Sequence, residues 1–188
     1  MRLINSKRAV LLLTASRIPI SIGFLTVPFI LSGSSRLWAW LWLLVIIELT
    51  DVMDGHLARE FNATTELGAT LDPFADSISR LSIYSAFALN GYVLALVPYV
   101  MAVRDITVAY SRIQLVRVKQ SPSANWAGKA KAWVQGLAAL TIILFAVFGE
   151  GASENEALAI VISWILVVVT TLSALPYISS ALKKTTVD

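Results

Sequence analysis

The 188-residue chain has no cysteine. Disulfides are therefore excluded, and no redox compartment follows from the composition. Charge is scarce as well: Asp, Glu, Lys and Arg make up 14% of the residues, whereas hydrophobic residues make up 57%. That balance lies far from a soluble domain. A water-exposed fold of this length has too little interior to hide so many apolar side chains, but a bilayer can accept them. Internal repeats, low-complexity tracts and a linker to a second domain are all missing. One domain over residues 1–188 is expected. The net charge of +3 is small, and no nucleic-acid partner is expected.

What is present is a succession of apolar stretches, each near the roughly 20 residues that span a membrane. The pattern predicts an all-α integral membrane protein with six transmembrane helices, near residues 9–31, 37–59, 66–89, 92–117, 127–149 and 156–181. Between them lie plausible turns: Ser32 to Ser35, Asn62 to Thr65, Asn90-Gly91, Gln120 to Ser123, and Gly149 to Gly151. Met1 to Thr14 superficially resembles a signal peptide. Arg17 interrupts its apolar run and no convincing cleavage site follows, so a retained first helix is expected. Arg2, Lys7 and Arg8 precede that helix. Arg112, Arg117, Lys119, Lys129 and Lys131 surround the joint between the fourth and fifth, and Lys183 and Lys184 end the chain. The opposite joints carry Arg36 with Glu150, Glu154 and Glu156. The positive-inside rule then places both termini in the cytoplasm, in a multi-pass cell-membrane protein.

The segment DVMDGHLAREFNATTELGATLDPFAD, residues 51–76, interrupts this apolar background. Its aspartates form two helix-spaced pairs, Asp51/Asp54 and Asp72/Asp76, each projecting from one face of its helix. Acids in a membrane cost several kcal/mol unless paired, wet or metal-bound. Divalent cations held between the two helices would compensate their charge. The joint between these helices is predicted to be cytoplasmic, so the acids open toward charged, cytosolic metabolites.

Asp51-x-x-Asp54-Gly55-x-x-Ala58-Arg59, eight further residues, then Gly68-x-x-x-Asp72-x-x-x-Asp76 resembles the full signature of the CDP-alcohol phosphotransferases. The resemblance implies a six-helix membrane enzyme, usually a homodimer. Such an enzyme moves a phosphatidyl or similar group from a CDP-linked donor to an alcohol and releases CMP. It also implies that Asp51, Asp54, Asp72 and Asp76 hold two Mg²⁺ or Mn²⁺ ions, and that Asp76 is the general base. Carboxylate-held ions suit a donor pyrophosphate, whose dense charge must be neutralised before CMP can leave. Gly55, Gly68 and Ala58 are small where helix and nucleotide approach closely. Arg59 is a fixed bidentate donor suited to a phosphate.

The second half bears on the acceptor. Arg104-Asp105, Arg112 and Trp126-x-Gly128-Lys129-x-Lys131-x-x-x-Gln135 are similar to the phosphatidylglycerolphosphate synthase branch. So are Leu12-Leu13-Thr14-x-x-Arg17 and Leu71-Asp72-Pro73. That likeness implies CDP-diacylglycerol as donor and glycerol 3-phosphate as acceptor. Arg104, Arg112, Lys129 and Lys131 would bind the acceptor phosphate, as charge-assisted bonds require. The branch pattern is not complete: Ser77 stands where Lys is usual, Ala132 where Thr is frequent and Asp105 where Glu is frequent, and Arg80 and Tyr110 are added. Inositol 1-phosphate, inositol, serine and phosphatidylglycerol therefore remain alternative acceptors.

His56 occupies a variable position of the signature and is not expected to be a ligand. Trp38, Trp40 and Trp42 read as an interfacial aromatic belt. Glu48, a turn before Asp51, reads equally as support for the metal site or as a helix–helix contact. Intramembrane carboxylates also mark ion or proton transporters. The missing inverted repeat, the two motif glycines and the clustering of acids at one mouth weigh against that rival.

Overall fold

A computed structural model describes residues 2–60, 65–117, 126–149 and 152–185. All its regular structure is helical: α1 (Arg2–Ile30), α2 (Gly33–Glu60), α3 (Glu66–Leu89), α4 (Leu96–Arg117), α5 (Trp126–Phe148) and α6 (Ala152–Thr185). The six expected helices are all found. α4 starts later than residue 92 because the chain turns first. Gly91 has a φ of 79°, the left-handed region that glycine enters freely, and the Leu94 amide donates to Ser163 Oγ rather than to a helical carbonyl. The Ser32–Ser35 joint shrinks for a similar reason, since Gly33 with a φ of 55° already opens α2. Much of the expected turns at 62–65, 120–123 and 149–151 falls outside the described residues. So do the side chains of Arg2, Ala58, Arg59, Arg117, Lys119, Glu150, Glu154, Lys183 and Lys184.

The chain forms two compact units, one of Met1–Phe87 with Leu140–Gly149, the other of Ala88–Ala139 with Glu150–Asp188. In the first, α1 packs along α2. Thr14, Arg17, Ser21 and Phe24 recur at helical spacing and are all buried. Around the same helix Leu12, Ile22, Phe29 and Ile30 are exposed. Thr14, Arg17 and Ser21 thus face inward while several large apolar side chains face outward, the reverse of the usual pattern of a water-soluble helix. At one end of this unit an aromatic core joins three helices. Phe24 of α1 stacks on Trp40 of α2 at 5.4 Å, and Phe87 of α3 meets both edge-on.

Trp40 is thus not part of an aromatic belt. Residues 38, 40 and 42 cannot share a helix face, because each two-residue step turns the helix by about 200°. Trp38 and Trp42 are exposed, whereas Trp40 is 1% exposed and donates its indole N–H to the Phe24 carbonyl at 2.9 Å. Trp40→Phe leaves that buried carbonyl unpaired and is expected to cost about 1–3 kcal/mol. Thermal unfolding in detergent should register this loss, and Trp42→Phe should leave the midpoint in place.

In the second unit α6 packs along α4. Gln135 Nε2 of α5 donates to Thr170 Oγ1 of α6, and both residues are 1% exposed. Among the described residues, three helices are long and apolar enough to cross a membrane by length and composition: Lys7–Ile30, Gly128–Phe148 and Glu156–Ser180. α2, α3 and α4 are the helices that carry Asp51, Asp54, Asp72, Asp76, Arg80, Arg104 and Asp105. Their polar load breaks the apolar run.

Candidate active site

The first acidic pair lies near the C-terminal end of α2 and the second near the N-terminal end of α3. The two helices bring Asp51, Asp54 and Asp72 together. α3 starts there because Thr65 caps it: its Oγ1 accepts the Gly68 amide at 2.9 Å and its carbonyl the Ala69 amide at 3.0 Å. A Cβ at Gly68 would meet Thr65 Oγ1 at 3.0 Å, so the small residue protects the cap, whereas its 3.6 Å approach to Leu11 Cδ2 would be an ordinary contact. Gly55 differs from the sequence expectation of close helix approach. Among the described residues, a Cβ there meets no atom within 4 Å, so no described helix contact demands glycine at that position.

Asp51, Asp54 and Asp72 each offer a carboxylate oxygen, and these atoms lie within 4.8 Å of one another. Asp54 forms the floor, with its side chain 6% exposed; those of Asp51 and Asp72 are 42% and 57% exposed. Asp76 is not in this group of three; it lies 3.8 Å from Arg80 Nε.

A guanidinium from α1 holds the three acids together. Arg17 is 1% exposed and pairs with Asp51, Asp54 and Asp72, its Nη2 reaching Asp54 Oδ2 at 3.1 Å. Thr14, one turn earlier, donates to the same Asp54 oxygen at 2.8 Å. Arg17 Nε has no hydrogen-bond partner among the described residues. From the sequence, Thr14 and Arg17 were legible only as a loose N-terminal likeness, not as parts of this centre. Three carboxylates against one guanidinium leave two formal negative charges. Oxygen-only ligands with that excess match a hard divalent cation such as Mg²⁺ or Mn²⁺. His56 is outside the group, on an exposed stretch of α2 with Nε2 3.5 Å from Glu60.

The cations of the second unit form their own cluster. Arg104 Nη1 and Lys131 Nζ both donate to Asp105 Oδ1, at 2.9 Å and 3.0 Å, and Arg104 Nε donates to Ser173 Oγ at 3.0 Å. Arg104 and Arg112 also lie over the Tyr177 ring, at 5.7 Å and 5.5 Å from its centre, in cation–π contacts. Tyr177, not singled out by its sequence context, thereby joins α4 to α6. Gly128 permits this: a Cβ there would lie 3.1 Å from the Tyr177 hydroxyl. Of the four residues expected to bind an acceptor phosphate, Arg104, Arg112 and Lys131 are thus brought together, and Lys129 is exposed. No described acid pairs with Arg112 or Lys129, whereas Asp105 neutralises part of the charge on the other two.

Apolar outer faces, buried polar stripes and a carboxylate centre shared by two helices define a helical protein built to handle a charged group beside a lipid phase. A profile of the CDP-alcohol phosphatidyltransferase family matches residues 11–172, and the chain belongs to that family. It is 32% identical over 108 residues to the CDP-diacylglycerol--glycerol-3-phosphate 3-phosphatidyltransferase of Mycoplasma genitalium, covering 57% of this chain and 44% of that one. It is 30% identical over 151 residues to a probable phosphatidylglycerophosphate synthase of Mycobacterium tuberculosis, covering 80% and 69%. A Bacillus subtilis protein with the same name as the Mycoplasma one is 33% identical over 105 residues, covering 54% of this chain and 53% of that one. The chain thus spans between 44% and 69% of the length of these curated relatives.

Proposed function

We propose that this protein transfers a phosphatidyl group from CDP-diacylglycerol to glycerol 3-phosphate, releasing CMP, in phospholipid synthesis. The observation that carries this reading is the convergence of Asp51, Asp54 and Asp72 within 4.8 Å, on the two helices that hold the family's signature. The names of the relatives support the choice of donor and acceptor.

Asp51, Asp54 and Asp72 would hold Mg²⁺ or Mn²⁺, with Asp76 as the family's further ligand to a second ion. Such ions, when bound, would supply positive charge to neutralise the donor pyrophosphate and the departing CMP. Asp76 takes the proton of the acceptor hydroxyl. The hydroxyl oxygen attacks the phosphorus that bears diacylglycerol, the bond from that phosphorus to the bridging oxygen breaks, and CMP leaves with the electron pair. Arg17 and Thr14 keep the three acids in register. Gly55, with open space where a Cβ would stand, leaves the nucleotide a close approach to α2, and Gly68, Ala58 and Arg59 complete the donor site. Arg104, Arg112, Lys129 and Lys131 bind the acceptor phosphate.

Six membrane spans, cytoplasmic termini, a cytoplasmic-facing acid centre and a homodimer belong to the same proposal. The inward polar stripes and exposed apolar faces support the spans, and the distribution of Lys and Arg supports the orientation.

The test is a membrane assay with labelled CDP-diacylglycerol and a panel of acceptors, scoring CMP and product lipid. Glycerol 3-phosphate should be the best acceptor and inositol 1-phosphate the second. Preference for free inositol or serine would defeat the acceptor assignment. Arg112→Ala or Lys129→Ala removes one charge-assisted bond, roughly 1.5–3 kcal/mol. KM for glycerol 3-phosphate should rise roughly ten- to a hundredfold, at about 1.4 kcal/mol per tenfold. KM for CDP-diacylglycerol should hardly move. Equal weakening of both substrates would reduce these residues to topology signals.

A further inference from the structure

Arg80 is a buried cation that the mechanism above does not use. It lies on α3, one turn beyond Asp76, and is 6% exposed. Its Nη1 and Nη2 donate to the two oxygens of Glu48 on α2, the second at 3.1 Å. This fork-on-fork arrangement fixes the plane and direction of a guanidinium more firmly than a single contact does. The third donor, Nε, is then left on the edge toward Asp76, with the two charges 3.8 Å apart. That separation is an ion pair without a short hydrogen bond. The Asp76 carboxylate is drawn to one side of α3 but still has oxygen acceptors for another donor.

We infer that the Glu48–Arg80 pair positions Asp76 for the acceptor hydroxyl. Glu48 aims the guanidinium, and the guanidinium sets where the Asp76 carboxylate rests. Glu48 and Asp51 are one turn apart on α2, and Asp76 and Arg80 one turn apart on α3. The pair therefore clips the two helices one turn from the three-acid centre, whose own clip is Arg17. A cation held only for packing would need Glu48 alone. The additional approach of Nε to Asp76 is what assigns a role in the reaction. Arg80 touches no reacting atom in this scheme, so it is a positioning residue. The inference rests on Asp76 being the base.

The deciding variant is the charge swap Glu48→Arg/Arg80→Glu in the full-length, detergent-purified protein. It keeps an ion pair between α2 and α3 but puts a carboxylate beside Asp76. Thermal midpoint, Mn²⁺ binding by electron paramagnetic resonance, and kcat and KM for both substrates are measured. The swap should fold and bind Mn²⁺ as the native protein does. Its kcat should fall about ten- to a hundredfold, the scale of a misplaced catalytic group, with KM for CDP-diacylglycerol unchanged. Arg80→Lys, which keeps the cation but not the fork, should retain more kcat than the swap. Native kcat in the swap would make the pair a structural clip and overturn the inference.

If the swap does not fold, the neutral pair Glu48→Gln/Arg80→Gln decides. Reduced kcat with native Mn²⁺ binding supports positioning; native kcat, or loss of Mn²⁺ binding together with turnover, overturns it. Asp76→Asn is assayed alongside. Near-normal turnover in that variant removes the base assignment itself, whereas an inactive Asp76→Asn with a fully active swap removes only the role of Arg80.

Discussion

Asp72→Asn should lower turnover roughly a thousandfold while leaving the protein folded, the rate equivalent of about 4 kcal/mol of lost charge stabilisation. Fold and function separate well at this residue. Its side chain is 57% exposed, so removing its charge strands no fully buried partner except one arm of Arg17, which keeps Asp51 and Asp54. Asp54 is the contrasting case. It is buried, accepts from both Thr14 and Arg17, and Asp54→Asn should also lower the thermal midpoint in detergent. Removal of divalent ions with EDTA should stop turnover in the native protein, and adding Mg²⁺ or Mn²⁺ should restore it. Full activity in chelator would sink the metal proposal. Native turnover in Asp72→Asn would show that the acids are only a structural network around Arg17.

The part of this site legible in the sequence is the part set by position along one helix. Asp51 and Asp54, or Asp72 and Asp76, share a face because their spacing puts them there. Thr65 then caps the start of the second of these helices. Partners that meet across helices were not legible, because the packing rotation of each helix decides them. Glu48 was open between metal support and helix contact, and the structure pairs it with Arg80. Arg104 pairs with its chain neighbour Asp105. Arg17, which seemed to interrupt an apolar run, is buried against three carboxylates.

The tryptophans show the same limit. An alternation of Trp at 38, 40 and 42 looks like a single band, but helical geometry sends Trp40 inward to Phe24 and Phe87. The helices themselves were legible because apolar length and turn residues are local signals. Their ends moved where a local polar contact intervened, as at Leu94 and Ser163. Tyr177 carried no local signal. Its role comes from two arginines about two turns apart on α4 and from the missing side chain at Gly128 on α5.

Asp76→Asn tests the chemistry while leaving the three-acid group in place. Asp76 is not in the group of three acids within 4.8 Å, so those three should still bind Mn²⁺ in the variant. Its only described ion pair is the 3.8 Å contact with Arg80, which keeps its stronger partner Glu48 when Asp76 loses its charge. The fold should therefore survive, and binding of CDP-diacylglycerol should be retained. What the amide cannot do is accept the proton of the attacking hydroxyl. The rate should fall at least about a hundredfold, the usual scale for loss of a general base. The loss should appear in kcat, because the proton moves only as the new phosphorus–oxygen bond forms. Near-normal turnover with an unchanged pH profile would mean that another group, or water, takes the proton. Loss of donor binding in place of kcat would move Asp76 from proton transfer to donor binding.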